Sequence, residues 1–478
     1  MIKRILYLFI IVSLSACALG KDYKRPTIEQ PDKFRFSEKD AAGVADSAWW
    51  EQFGDPNLNK LINTAIKENL DVRIAEARIE QYLGRLSTTR SLLFPQLGAT
   101  ATGARQKSSE KGIVPILPGE SPYSTLYQAN LSVSNWEIDL WGKLRRATEA
   151  AKADMLGQEE FKKGVLLMVI NNVSVGYYNL VSLDKQLVIA KETLKTREDN
   201  LNIFRERYNA GTVSGVVLSQ NESDYYSALA TIPQIEDQIS QQENNLSILL
   251  GKNPGQIERT GVVSNKYVFP PIPKGLPSDL LDRRPDIRKA EEALRAANAR
   301  IWVAKSQYFP SIQLTGLLGV ASTDLTNLFT GPANTWNFLV PITAPIFTAG
   351  NIAGQVKTSE AVQKEALATY IKTIQQAFAD VENSLVDNQK SREQADVLGK
   401  QVVALNNYYT LSMMQYENGY TDYTTVMDAE QQLFNVELTY VQTRFKQRAA
   451  LINLYTSLGG GWSAAENVKK ADKTQVSK

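Results

Sequence analysis

Matched signals recur along this 478-residue chain at nearly constant separation, and that duplication limits the possible folds more than any single segment does. Asn69-Leu70-Asp71-Val72-Arg73 pairs with Arg284-Pro285-Asp286-Ile287-Arg288, and Phe94-Pro95 with Phe309-Pro310, both 215 positions apart. Further on, Gly142 pairs with Gly350, Tyr208 with Tyr416 and Gly211 with Gly419, all 208 apart. The change of offset falls between the second and third pairs, so one loop between strands differs in length. An ordered series of this kind describes a tandem repeat, placed here at 61–262 and 278–462. Pro270, Pro271, Pro273 and Pro277, with Gly275 among them, mark 263–277 as a linker.

Each half reads as a helix, a strand pair and a very long helical hairpin. Period-two alternation gives the strands. Tyr127, Ala129, Leu131 and Val133 alternate with Gln128, Asn130, Ser132 and Ser134, and Leu97, Ala99 and Ala101 form a weaker set. In the second half Ile312, Leu314, Gly316, Leu318 and Val320 point one way, as do Trp336, Phe338, Val340 and Ile342. An apolar face backed by a polar one fits a barrel wall between lipid and water, and equally a soluble sandwich with one buried face. The helices follow from long proline-free stretches, after Pro122 as far as Pro233 and everywhere after Pro345. Leu367, Ile371, Ile374, Phe378, Val381 and Leu385 are spaced as a heptad seam. A continuous helix over residues 143–208 would extend about 100 Å. Such a rod must pack against similar rods, in a coiled-coil stalk or a barrel of helices, and each ends at a glycine turn, Gly211 or Gly419.

The N-terminus supplies an address. Lys3 and Arg4 precede an apolar run too short to span a bilayer, which ends in Leu14-Ser15-Ala16-Cys17. That tetrapeptide resembles a bacterial lipobox, with 1–16 a signal peptide and acyl chains on Cys17, the only cysteine of the chain. More than one acyl chain gives a stable anchor. Ala18, in place of an aspartate, resembles outer-membrane sorting. The chain has 53 basic and 51 acidic residues, so no basic excess is present for nucleic acid. It has no histidine, which removes histidine-dependent catalysis and the usual His or Cys metal sites, and no enzyme activity or cofactor is expected. No later segment reads as a transmembrane helix, so crossing a bilayer falls to the strands.

Four strands per chain cannot close a membrane barrel, for which about eight is the minimum, yet lipid does not tolerate open edges. Copies must therefore combine. A homotrimer gives twelve strands, closed by cyclic symmetry, and a pseudo-sixfold set of helical hairpins. The fold class expected is thus an α+β membrane protein, a trimeric twelve-stranded β-barrel continued by a long α-helical barrel.

Five motifs in order resemble the TolC/OprM-like outer membrane efflux family, in particular its lipoprotein branch serving resistance-nodulation-division pumps. They are Gly20-Lys21-Asp22-Tyr23-Lys24-Arg25-Pro26; Trp49-Trp50 with Phe53-Gly54-Asp55-Pro56; Glu137-Ile138-Asp139-Leu140-Trp141-Gly142-Lys143; Arg283-Arg284-Pro285-Asp286-Ile287-Arg288; and Leu458-Gly459-Gly460-Gly461-Trp462. The resemblance covers nearly the whole chain after Cys17. It implies a channel in the outer membrane that extends into the periplasm, conducting drugs or other small molecules handed on by a periplasmic adaptor (membrane fusion protein) and an inner-membrane pump. It also implies closure at the periplasmic tip, where the matching stretch carries Tyr416, Asp422 and Asp428. On that basis Asp428 and Tyr416 restrain the closed tip, with Asp422 nearest its mouth. The residues themselves allow plainer roles: solvated charge for the carboxylates, packing at the hairpin ends for Tyr208 and Tyr416. At the first tip Val216 and Val217 precede Leu218, where some members of the family have a polar residue and a carboxylate. Arg283, Arg284 and Asp286 read as structural, and Trp141 as an interfacial ring or a core residue. A periplasmic adaptor and a structural coiled-coil lipoprotein are the alternatives.

Overall fold

A computed structural model of the chain describes residues 20–28, 31, 34–36, 48–109, 111, 116, 121–259, 280–460 and 462. Cys17, the leader at 1–16, the linker at 263–277 and the tail at 463–478 lie outside the described residues. Helix α1 spans Pro56–Glu68, α2 Leu70–Ser91, α3 Lys143–Asn209, α4 Gly215–Leu249, α5 Pro285–Lys305, α6 Asn351–Glu417 and α7 Tyr423–Ser457. Strands β1 (Leu97–Lys107), β2 (Tyr123–Glu137), β3 (Ser311–Ser322) and β4 (Asn334–Leu339) form an antiparallel sheet in that order. A short β5 (Ile342–Thr343) pairs with β3. Ser311 faces Thr343 in the register that sets Thr315 opposite Leu339, so β5 continues β4. The gap falls at Pro341, which has no N–H to donate, although its carbonyl accepts from Gln313 N at 3.0 Å.

Cross-strand partners share a face of a sheet. One face collects Leu97, Ala99 and Ala101 of β1, Ala129, Leu131 and Val133 of β2, Leu318 and Val320 of β3, and Trp336 and Phe338 of β4. The opposite face carries Thr100, Thr102, Gln128, Asn130, Ser132, Thr335 and Asn337. At Asn135, with φ of +50°, β2 holds an extra residue, and the register steps from Val133 opposite Gly316 to Trp136 opposite Leu314. This bulge returns Trp136 to the apolar face, which strict alternation would have denied it. Thr315 fixes the bulge, its hydroxyl donating to Asn135 Oδ1 at 3.2 Å and accepting from Asn135 N at 3.3 Å.

A soluble sandwich would bury the apolar face. Here Leu97 is 78 % exposed and Trp336 76 %, and Leu131, Leu318 and Phe338 are exposed as well. Among the described residues β1 and β4 each pair on one side only, which leaves two open edges.

The hairpins repeat residue for residue. α3 and α6 each have 67 residues, α4 and α7 each have 35. Both turns put a glycine in the left-handed region, Gly211 at φ +71° and Gly419 at φ +75°. Beyond them Thr212 N donates to Arg207 O and Tyr420 N to Gln415 O, both at 2.9 Å, the six-to-one bond of a Schellman ending. The far ends match too. Asn69 Nδ2 donates to Leu249 O at 2.8 Å at the end of α4, and Arg284 Nη1 to Ser457 O at 3.0 Å at the end of α7. α4 tolerates Pro233 in its interior, at the loss of one backbone hydrogen bond.

Two expectations from the sequence need correcting. The heptad seam of α6 is present but rotated: Ile374, Val381 and Leu385 are buried, whereas Leu367, Ile371 and Phe378 are half-buried. The buried line runs instead through Tyr370, Ile374, Ala377, Val381, Ser384, Asn388 and Ser391. Small residues let helices approach closely, and a search for large apolar residues alone passes over them. Second, α3 contains an 18-residue stretch apolar enough to cross a membrane by length and composition. The helix buries Leu166, Ile170, Val173, Tyr177 and Leu180 within the chain, so that hydropathy serves helix packing.

By its contacts the chain forms two compact units. One comprises Met1–Thr27, Arg78–Gln158 and Ala290–Tyr370 and holds the sheet; the other comprises Ile28–Ala77, Glu159–Lys289 and Ile371–Lys478 and holds both hairpin turns. Each unit takes residues from both 61–262 and 278–462, because elements of one half pack on elements of the other. In the first unit Ala150 and Ala153 of α3 meet Ala296 and Ala299 of α5.

Candidate functional site

Most motif residues hold the frame. Trp49 stacks on Tyr455 at 5.2 Å between ring centroids, and its Nε1 donates to Gly460 O at 3.3 Å. Asp55 caps α1 by accepting from Asn57 N at 3.0 Å and Leu58 N at 3.2 Å, and its other oxygen accepts from Tyr177 OH at 2.9 Å. Asp139 starts α3, accepting from Leu144 N and Arg145 N, both at 2.9 Å. Trp141 is half-buried; it stacks on Phe309 at 4.9 Å and donates from Nε1 to Pro310 O at 2.7 Å. Arg284 binds Asp286 at 2.7 Å and Asp380 at 2.9 Å as well as Ser457 O, a structural knot as its motif suggested.

The segment that follows Cys17 is strapped down. Arg146 Nη2 donates to Gly20 O at 3.2 Å and to Asp22 at 2.7 Å, and Asn298 Nδ2 to Lys21 O at 3.3 Å. Arg25 grips the buried Glu291 through Nε at 2.9 Å and Nη2 at 2.6 Å, and Tyr23 OH donates to the same carboxylate at 3.2 Å. Gly20 lies flat on Trp302, where a Cβ would come within 2.9 Å of the ring. Trp302 Nε1 in turn donates to Trp141 O at 2.8 Å.

At the hairpin ends Phe204, Tyr423 and Val426 form a buried cluster, with Val213, Val217, Tyr409 and Tyr416 packed against it. The Phe204 and Tyr423 rings lie 4.2 Å apart and those of Tyr416 and Tyr423 5.0 Å. Arg207 donates to Tyr416 OH and stands 5.5 Å from the Phe204 ring and 5.6 Å from the Tyr416 ring. Tyr416 therefore ties the second hairpin to α3 within one chain. Asp422 is the N-cap of α7, accepting from Thr425 N at 3.3 Å, and the Thr424 hydroxyl foremost holds its carboxyl below the usual range. Asp428 is exposed and accepts from Gln432 Nε2 at 2.7 Å, one turn along the same helix. No hydrogen bond joins either aspartate to Tyr416 among the described residues. Tyr208 and Val216 are exposed.

Sequence reasoning missed the polar cluster beside these rings. Arg197 of α3 donates from Nε to Glu430 at 3.0 Å, from Nη2 to Gln431 Oε1 at 2.8 Å and from Nη1 to Asp224 O at 2.8 Å. Its side chain is 5 % exposed and that of Glu430 11 %. Asn221, Asp224, Tyr423 and Met427 line the same small cavity. Burial pushes the Glu430 and Asp224 carboxyls up, against the opposing pull of Arg197. One guanidinium thus bonds the Glu430 carboxylate and the Asp224 main-chain carbonyl between the hairpins, with the Asp224 side chain lining the same cavity. The partners are too far apart in sequence, and too unlike any local pattern, to be paired without the fold.

The profile of the family described as outer membrane efflux protein matches residues 61–252 and 276–460. The chain belongs to that family. It is 34 % identical over 459 residues to a protein of Pseudomonas putida named as the probable efflux pump outer membrane protein TtgC, covering 94 % of this chain and 93 % of that one. It is 31 % identical over 464 residues to the probable outer membrane lipoprotein SilC of Salmonella typhimurium, covering 96 % and 99 %. Among solved structures, the open state of the MtrE outer membrane channel of Neisseria gonorrhoeae superposes with a TM-score of 0.84 at 30 % identity, over 93 % of this chain and 99 % of that one. This member of the outer membrane efflux family is accordingly an outer membrane protein of efflux, with the mostly helical fold and four-stranded sheet of its channel relatives.

Proposed function

We propose that three copies of this chain form the exit duct of a tripartite efflux pump. The observation that carries this reading is the sheet: one face is apolar and exposed, and the edges of β1 and β4 are open. Lipid satisfies the first, and pairing β4 of one copy with β1 of the next satisfies the second. Twelve strands then close a ring, and the hairpins of both repeats continue it as a helical barrel. A periplasmic adaptor and an inner-membrane pump deliver drugs or other small molecules, which cross a water-filled duct without being transformed. Neither an adaptor nor a structural coiled coil accounts for a sheet with an apolar outer face. The equal hairpins and the paired caps of Asn69 and Arg284 support reading 61–262 and 278–462 as copies of one ancestral unit.

Acyl chains on Cys17 anchor the assembly in outer-membrane lipid. Support comes from the strap, which fixes Gly20 beside Trp302 only three residues downstream. Closure falls to the hairpin ends. Gly211 and Gly419 set the turns, Tyr416 and Arg207 hold the hairpins together, and Asp422 and Asp428 add rings of three carboxylates that attract cations. Asp428→Lys is expected to abolish cation preference and raise single-channel conductance of the purified trimer in planar bilayers. Conductance and selectivity equal to the unmodified protein would remove Asp428 from the gate and leave its carboxylate as solvated surface charge.

A further inference from the structure

The corner where β2 gives way to α3 has a seat on its own chain. Ile138 N donates to Ile312 O at 2.9 Å, Trp141 stacks on Phe309 at 4.9 Å, and Trp141 Nε1 reaches Pro310 O at 2.7 Å. Corner 138–142 of the first repeat therefore rests on segment 309–312 of the second. The repeat offsets transpose both parts. Moved by 208 positions the corner becomes 346–350, and moved back by 215 the seat becomes 94–97, Phe94-Pro95-Gln96-Leu97.

Both transposed parts are bare. Ile346 is 99 % exposed and Phe347 88 %, whereas Ile138 of the seated corner is 38 % exposed. Phe94 and Leu97 are exposed too. The turn is nonetheless held in a defined shape: Ala349 has φ of +48° and Gly350 of +86°, and Asn351 N donates to Thr348 O at 2.9 Å. A left-handed alanine persists only where its surroundings hold it. The aromatic ring is conserved in kind though moved by two positions, since Ala349 stands where the first corner has Trp141 and Phe347 where it has Asp139. One chain cannot join the two parts. The bare corner follows β4 and β5, the bare seat leads into β1, and these lie at opposite edges of the sheet.

We propose that Ile346 and Phe347 of one copy seat on Phe94, Pro95 and Leu97 of the next, with Ile346 N donating to the carbonyl of Leu97 as Ile138 N does to Ile312. This rests on the ring closure proposed above, and it adds a specific apolar latch at the base of each seam between copies. A head-to-tail contact of this kind uses each corner and each seat once and closes without a free end. The first repeat carries within one chain the template for the contact that the second makes between chains.

The test is disulfide trapping in the full-length protein in outer-membrane vesicles. The double variant Ile346→Cys with Leu97→Cys is expected to give covalent dimers and trimers on oxidation, reversed by dithiothreitol. Each single variant, which also carries Cys17, gives none. Unheated gel migration read in parallel separates the two levels of inference. Trimers that form normally but do not cross-link overturn the latch and leave the ring standing, whereas an unmodified chain that migrates as a monomer overturns the ring itself. Should the double variant fail to assemble, Phe347→Ser decides: it is expected to lower the temperature at which the trimer converts to monomer, while Phe329→Ser, at another exposed ring of the same unit, does not. Equal transition temperatures for Phe347→Ser and the unmodified trimer overturn the latch.

Discussion

Replacing Arg197 by Met is expected to loosen the hairpin ends and cost about 3–5 kcal/mol at neutral pH, the usual penalty for leaving one partner of a buried ion pair alone. Glu430 would stay buried with Asp224 nearby and lose the guanidinium that bonds it at 3.0 Å. Burial already raises both carboxyls, and without Arg197 they rise further. A carboxyl whose folded pKa is raised contributes stability that is fully present below its unfolded value and is lost as pH rises through the folded value. The defect of Arg197→Met should accordingly be large at pH 7 and fade as pH falls towards the ordinary glutamate value near 4.5. The double variant Arg197→Met with Glu430→Gln should recover much of the loss at pH 7, because removing both charges spares the unpaired one. Hydrogen exchange around residues 197, 224 and 430, with thermal unfolding at pH 7 and 5, reads all three. A defect independent of pH, or a double variant no better than the single, would show that the cluster does not act through charge.

Arg284→Ala should destabilise the assembled protein by a similar amount, about 3–5 kcal/mol, without altering the conductance of the channels that survive. The side chain closes the end of α7 through Ser457 O and neutralises Asp286 and Asp380, both part-exposed and able to regain water, which places the effect towards the lower end. Arg284→Asn is the informative contrast. Asn69 does the same capping at Leu249 O with an amide at 2.8 Å, so asparagine should restore the cap and not the ion pairs. Thermal conversion of trimer to monomer measures the loss. A conductance change without a stability change would move Arg284 from the frame to the duct.

The parts of the fold that were legible in sequence are those set by local periodicity. Alternation named the apolar face from Ala129 to Phe338, and it left open whether the chain buries that face; the exposure of Leu97 and Trp336 shows that the chain itself does not cover it. The bulge at Asn135 was not legible, because it depends on Thr315 in a strand from the other repeat. The α6 seam was misplaced by counting large residues where Ala377, Ser384 and Ser391 make the buried line. The glycine turns were found because φ above zero singles out Gly211 and Gly419. At the hairpin ends the family resemblance pointed to Tyr416, which the repeat pairs with Tyr208, whereas its companion Arg207 and the buried Arg197 were not singled out. Their chemistry is a pairing across helices, and nothing near them in the chain announces it.

The most direct measurement of the central reading is conductance in planar bilayers from the purified full-length protein, with its mass determined in the same detergent. Discrete, stepwise insertion of cation-preferring channels by a particle of three chains is the expected result. A soluble, non-conducting monomer would contradict it.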